Sequence, residues 1–263
     1  MSPSVILVIS PLSWFRAERA ICQQYTHEAG SYKSVTSGPS PLQPTVSYFR
    51  FMRIGFIGWG SLIWNPRELA IPISKKWHCD GPNLRVEFAR FSGVNRQNPE
   101  LGKLTLVIME DTAIPSRQTY WARCTLSDLE AARQNLRDRE GCQLDAIHWL
   151  SRTSDGHPGL IGEAQRTIKE WLLRKDLDAI VWTGLASNWR QHKQEDFSID
   201  GAVAHLISLE GPPKSSKLEE AQEYVRKTPK QIDTEVRGRI RNRAGWEDEQ
   251  LPNSLFENDC FSG

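Results

Sequence analysis

A proline sets the first limit on this fold. Arg53-Ile-Gly-Phe-Ile-Gly-Trp-Gly-Ser61 reads as a short buried strand, Ile54–Trp59, running into a glycine turn over Gly58–Ser61, and Pro66 stands just beyond. A strand ending in Gly-x-Gly, with Asp80 some way on, is how a dinucleotide-binding βα unit begins. The third glycine of that fingerprint would fall at Ile63, however, and the helix that should hold the pyrophosphate would meet Trp64-Asn65-Pro66 almost at once. Proline there has no N–H to give and clashes with the preceding turn, so the phosphate-binding helix is not expected. Nor is Ser61 a hydrolase nucleophile elbow, because Trp59 stands where that motif requires its first glycine. Small residues at Gly58, Gly60 and Ser61 do let backbone N–H groups face an open cavity, where they bind carboxylates or developing oxyanions. The plainer alternative is a tight turn made for packing.

Composition breaks at Met52. Residues 1–51 carry six charged side chains, against 59 in the other 212 residues, and hold 17 Ser, Thr or Pro. They read as an extension, disordered or a misassigned start. A domain is expected over residues 52–212, with a C-terminal helical appendage over 213–263. At 39% hydrophobic and 25% charged, the chain can bury a core. A formal charge of +1 provides no field for nucleic acid or an anionic membrane, and no apolar run reaches the ~18 residues of a membrane span. The Arg237–Arg243 stretch is the one local basic patch, and it reads as the solvated face of a helix. Five cysteines without a CxxC and six histidines without HxxxH or HExxH imply no disulfide framework, no metal and a reduced, cytoplasmic protein.

The rest of the chain alternates strands with a few helices, an α+β pattern. Strands are expected at Leu84–Arg90, Leu104–Met109, Gln118–Leu126 (as partner of the preceding run), Ala146–Leu150 and Ala179–Thr183. Ser127-Asp-Leu-Glu130 has capping-box spacing and opens a helix that Gly141 should end. Ile161–Lys175 is a second amphipathic helix. After Gly211-Pro-Pro213, Leu218, Ala221, Tyr224 and Val225 form one helical stripe, and Ile232, Val236 and Ile240 another, with Pro229 between.

Ile57-Gly-Trp-Gly-Ser-Leu-Ile-Trp-Asn-Pro66 resembles the GYGSLIW-x-P loop of gamma-glutamylcyclotransferase-like proteins, most nearly the ChaC-type branch. Arg90-Phe91-Ser92, Asn98–Val107 and Leu136-Arg-Asp-Arg-Glu-Gly141 match further motifs of that family in the same order, over roughly Met52 to Leu150. The resemblance implies a mixed β-barrel with flanking helices and a cofactor-free reaction on a small γ-glutamyl substrate. In that reaction the substrate's own α-amine attacks its γ-carbonyl, closing 5-oxoproline and expelling an amine. It also implies that Glu140 is the catalytic acid/base. Physical grounds agree: Glu140 would sit at a helix C-terminus, where partial negative charge and burial both disfavour ionisation, although Arg139 opposes this if it points the same way. The backbone amides of Gly60, Ser61 and Leu62 are the expected substrate or oxyanion donors, with Trp59, Arg90 and Ser92 as further substrate-binding residues. Trp59 replaces the family's usual tyrosine, Arg137 its usual aspartate, and the glycine- and tyrosine-rich closing motif is absent. In its place stands Val181–Trp189, whose Thr183, Ser187 and Asn188 offer polar groups to a different leaving group. The alternative function is a non-catalytic ligand-binding or interaction module on the same fold.

Overall fold

Five consecutive residues with no exposed side, Ile54-Gly-Phe-Ile-Gly58, form β1, and a strand buried on both faces belongs in the middle of a sheet. The computed structural model describes residues 51–74, 76–94, 102–154, 162–212, 215–257 and 260; the extension expected over 1–51 lies, Phe51 apart, outside them. β1 pairs in parallel with β7 (Ala179–Thr183) and antiparallel with β5 (Tyr120–Arg123). β6 (Ile147–Ser151) adds to β7, completing a four-stranded sheet of order β5-β1-β7-β6. A second, three-stranded sheet has the order β3-β2-β4, from β2 (Asn83–Phe91), β3 (Leu104–Ile108) and β4 (Ser116–Gln118).

The fold is thus mixed α+β, but among the described residues the strands make two open sheets and no closed barrel. Gln118–Leu126 was expected as a single strand beside Leu104–Met109; instead the chain breaks at Thr119, whose N–H and hydroxyl both donate to the Pro82 carbonyl (3.1 and 2.7 Å). The segment before Thr119 pairs with β2 and the segment after it with β1, so β3 has β2 as its partner.

α1 (Leu129–Glu140) ends as expected, on Gly141 in the left-handed conformation (φ 64°). Its cap is Asp128 rather than Ser127: the Asp128 carboxylate accepts the Ala131 N–H (2.8 Å), while the Ser127 carbonyl accepts the Met52 N–H (3.2 Å). Asp128→Ala is expected to lower stability by about 1 kcal/mol in denaturant unfolding, because one helix-end donor loses its acceptor. α2 (Glu163–Leu173) buries Ala164, Ile168, Trp171 and Leu172.

Two helices escape sequence periodicity. α3 (Trp189–Lys193) is barely longer than a turn. α4 (Ile199–Ser208) contains Gly201 and three β-branched residues, a poor intrinsic helix, and depends on the Ser198 cap to the Gly201 N–H (3.1 Å) and on its buried face. α5 (Leu218–Lys227) and α6 (Glu235–Ala244) follow the predicted stripes, and their buried residues cluster with those of β1 and β7 in one hydrophobic core. Buried Glu87 of β2 reaches across to the start of α6, accepting the N–H groups of Glu235 (3.1 Å) and Val236 (3.4 Å). The basic run of α6 differs from a solvated face. Arg237 is buried and pairs with Asp248 (3.0 Å), and Arg239 and Arg241 pair with Asp200 and Asp248 (2.6 Å each). No helix among the described residues is long and apolar enough to cross a membrane.

Candidate active site

β1 and β7 run parallel, so both present their C-terminal ends to the same edge of the sheet. At that edge β1 passes into the Gly58–Ser61 turn, β7 ends at Thr183, and the last turn of α1 brings up Arg139 and Glu140. Together with β2, β3 and α5 these elements enclose a cavity of about 240 Å³. Trp59, Gly60, Ser61, Leu62, Arg90, Ser92 and Glu140 all line it. A larger cleft, about 720 Å³, lies beside Tyr120, Gln231 and Phe256 and holds none of these residues. Volume alone does not mark a site; convergent polar groups do, and they converge in the smaller cavity.

The turn is fixed from three sides. The Gly60 carbonyl accepts the Ile63 N–H (3.0 Å) and the Ser61 carbonyl the Asn65 N–H (2.9 Å), which curls the chain before Pro66. No described carbonyl accepts the N–H of Gly60, Ser61 or Leu62. The Trp59 indole is buried and donates to the Leu106 carbonyl of β3 (3.1 Å), so it anchors the turn to the second sheet as well as walling the cavity. Tyr224, from α5, also lines the cavity and sets its hydroxyl against Gly60. Burial with Glu140 nearby pushes that phenol far up, so it stays neutral. Its ring is held edge-on by Trp64 (5.4 Å) and Phe88 (6.0 Å).

Glu140 has 19% of its side chain exposed, and burial raises its pKa. Arg139 and Arg67 act against that rise without cancelling it. Arg139 does point the same way, and its Nη1 donates to Glu140 Oε1 (2.8 Å). Burial thus favours the protonated form of this carboxyl while the neighbouring cations favour the ionised one, opposing pulls of the kind a general acid/base uses.

Arg90 owes its position to an irregular strand. The β2–β3 register shifts between Phe88 and Arg90, and the backbone around this bulge is held by the loop after β7. Ser187 donates to the Ala89 carbonyl (2.6 Å), while Asn188 accepts the Phe91 N–H (2.8 Å) and donates to the Phe91 carbonyl (3.0 Å). Ser187 and Asn188 are therefore committed to β2, and of the three polar residues proposed there for a leaving group only Thr183 lines the cavity. Arg90 Nη1 donates to the Ala186 carbonyl (2.7 Å), and among the described residues no carboxylate is paired with it. Burial lowers the Arg90 pKa, and the guanidinium remains a cation available to an anionic ligand. The Ser92 N–H donates to the Lys103 carbonyl (3.1 Å), which ties the edge of the cavity to β3.

Arg67, Lys103, Thr105 and Tyr224 also line the cavity and were not foreseen. Arg67 follows Pro66 in a left-handed conformation (φ 51°) that turns are known to use, and no local sequence pattern announces it. Tyr224 sat in plain view on the α5 stripe, where it reads as core. Arg67, Arg90, Lys103 and Arg139 share the cavity with Glu140, the one acid among its described lining residues, so the cavity favours anionic ligands. Among the described residues no three His, Cys, Asp or Glu side chains converge to hold a metal ion. Asp80, the candidate ribose ligand of a dinucleotide fold, instead accepts from the Trp121 indole (2.7 Å) and pairs with Lys175. Among the described residues no helix of phosphate-binding kind follows β1. Searches against family models, curated proteins and solved structures find no match to this chain.

Proposed function

We propose that this chain is a gamma-glutamyl cyclotransferase with a fold related to that family, releasing 5-oxoproline and an amine from a γ-glutamyl compound. The observation that carries the reading is the meeting of Glu140 and the Gly60–Leu62 turn in one small, cation-lined cavity. Glu140 takes a proton from the substrate's α-ammonium, and the freed amine attacks the γ-carbonyl carbon. A C–N bond closes the five-membered ring, and the tetrahedral oxyanion is met by the turn's N–H groups. The original amide C–N bond then breaks as Glu140 returns the proton to the leaving nitrogen, and the ring nitrogen's second surplus proton ends on the released amine, which departs as its ammonium. Because nucleophile and electrophile belong to one molecule, holding the substrate curled supplies much of the acceleration. Arg90 and its neighbouring cations hold the carboxylates, and the cleft leaves Thr183 and Leu185 beside the leaving group.

The test is incubation with glutathione, γ-glutamyl-amino acids and γ-glutamyl-amines while 5-oxoproline is measured. At least one is expected to be converted. Tight binding across the panel with no product would favour the ligand-binding module instead.

A further inference from the structure

Among the described residues, one side chain touches both halves of the cavity. Arg139 is only 6% exposed; its Nη1 donates to Glu140 Oε1 (2.8 Å), and its Nη2 donates to Ser61 Oγ (3.1 Å) and to the Asn65 carbonyl (2.7 Å). An arginine at the end of a helix ordinarily stays in solvent near the last carbonyls. Burying it costs heavily unless acceptors surround it, and here they come from two separate elements. Arg152 shows what a purely structural arginine looks like in the same molecule. Among the described residues its guanidinium serves only carbonyls, those of Leu172, Lys175 and Leu177. Arg139 instead spends its fork on the carboxylate assigned to proton transfer and on the turn assigned to substrate.

We propose that Arg139 is the positioning residue that locks Glu140 to the Gly60–Leu62 turn and serves as the counter-charge of the carboxylate through the proton-transfer cycle. The inference rests on the reading of Glu140 as acid/base. Two consequences follow from the geometry. The planar fork fixes how far the proton carrier stands from the turn, because both partners are bound by one rigid group. When Glu140 takes up the substrate's proton, Arg139 keeps its bonds to Ser61 and Asn65 and stays beside the neutral acid. A retained cation makes that acid give its proton up more readily, which is what the leaving amine requires.

Other charged and titratable groups face Glu140. Arg67 comes from the turn after Pro66, Tyr224 from α5, and Cys142 from just past the helix, while Arg90 and Lys103 line the same cavity. Among the described residues only Arg139 is hydrogen-bonded to the carboxylate. Bound substrate carboxylates would draw on Arg90 and Lys103, leaving Arg139 as the main partner.

The experiment compares Arg139→Gln and Arg139→Lys by full pH profiles of kcat and KM alongside thermal unfolding. Glutamine keeps donors without charge. The fork is lost here too, so the plateau falls about tenfold, and in addition the acidic limb of kcat/KM is expected to move to higher pH. Lysine keeps the charge but cannot bind three acceptors in one plane, so the limb stays and kcat falls about tenfold at every pH. A folded Arg139→Gln protein whose limb has not moved overturns the counter-charge. If that variant does not fold, Arg139→Lys decides alone, and turnover equal to the parent at every pH overturns the fork. An inactive parent protein removes the cyclotransferase reading and this inference together, whereas an active parent indifferent to both substitutions removes only this one.

Discussion

Glu140→Gln is expected to lower 5-oxoproline release by about 10²- to 10⁴-fold, the range that a positioned general acid/base contributes. The substitution is close to isosteric. Its amide oxygen can still accept from Arg139 Nη1, and the helix end is closed by Gly141 whichever side chain stands at 140. The fold should therefore persist. Burial already disfavours the charged form of Glu140, so a neutral amide relieves a desolvation cost even as it gives up an ion pair. Thermal unfolding should place the variant near its parent, and KM should change less than kcat, because the carboxylate acts on the proton rather than on the substrate's anchors.

The pH dependence has a fixed sign. Burial raises the pKa of Glu140, and the carboxyl must be ionised to act as base. In the parent, kcat/KM should then rise with pH through a limb lying above the ordinary carboxylate range, and in Glu140→Gln that limb should vanish. The same shift means that ionising Glu140 costs stability in the folded state, a contribution lost as pH climbs from the unfolded toward the folded pKa. Turnover by Glu140→Gln equal to that of the parent would remove this residue from the chemistry.

Much of the cavity was legible before any coordinates, for identifiable reasons. Pro66 forbids the helix that a nucleotide site needs, and Gly58, Gly60 and Ser61 mark the turn, so the first strand and its exit could be read locally. The Ser127–Glu130 box and Gly141 announce both ends of α1, although the cap falls on Asp128 rather than Ser127, and the stop at Gly141 puts Glu140 at the helix end. Strand partners were a different matter. Nothing in Gln118–Leu126 says that Thr119 will turn both its donors onto Pro82 and send the two flanking segments to different sheets, because that depends on where residue 82 lies. The bulge that presents Arg90 is invisible for the same reason, being held by Ser187 and Asn188, nearly a hundred residues away in sequence. Tyr224 is the sharpest case. Its helical stripe was correct and its burial was correct, yet its hydroxyl belongs to the cavity, a fact that periodicity cannot express because a stripe names a face and not an atom's end point.

That hydroxyl makes Gly60 the most demanding backbone position in the turn, and Gly60→Ala is expected to cost about 1–3 kcal/mol of stability together with most of the activity. A methyl group on Gly60 would collide with the Tyr224 hydroxyl oxygen and lie 3.2 Å from Tyr224 Cζ. A flexible side chain would swing aside. Tyr224 cannot do so cheaply, since Trp64 and Phe88 hold its ring edge-on and the residue is buried. Either the helix α5 moves outward or the turn backs away, and in the second case the Ser61 and Leu62 amides leave the place proposed for the oxyanion. A displacement of about 1 Å there is enough to cost about a hundredfold in rate. The companion variant separates this clash from a simple glycine effect. Tyr224→Phe removes only the oxygen, so in the Gly60→Ala/Tyr224→Phe protein the nearest remaining contact is the 3.2 Å one to the ring carbon, which small shifts relieve. Unfolding of the single and double variants should show that the second substitution recovers part of the loss in stability, a positive coupling between two residues from distant parts of the chain. Strict additivity would mean that the methyl is accommodated elsewhere and that the turn does not rest against α5.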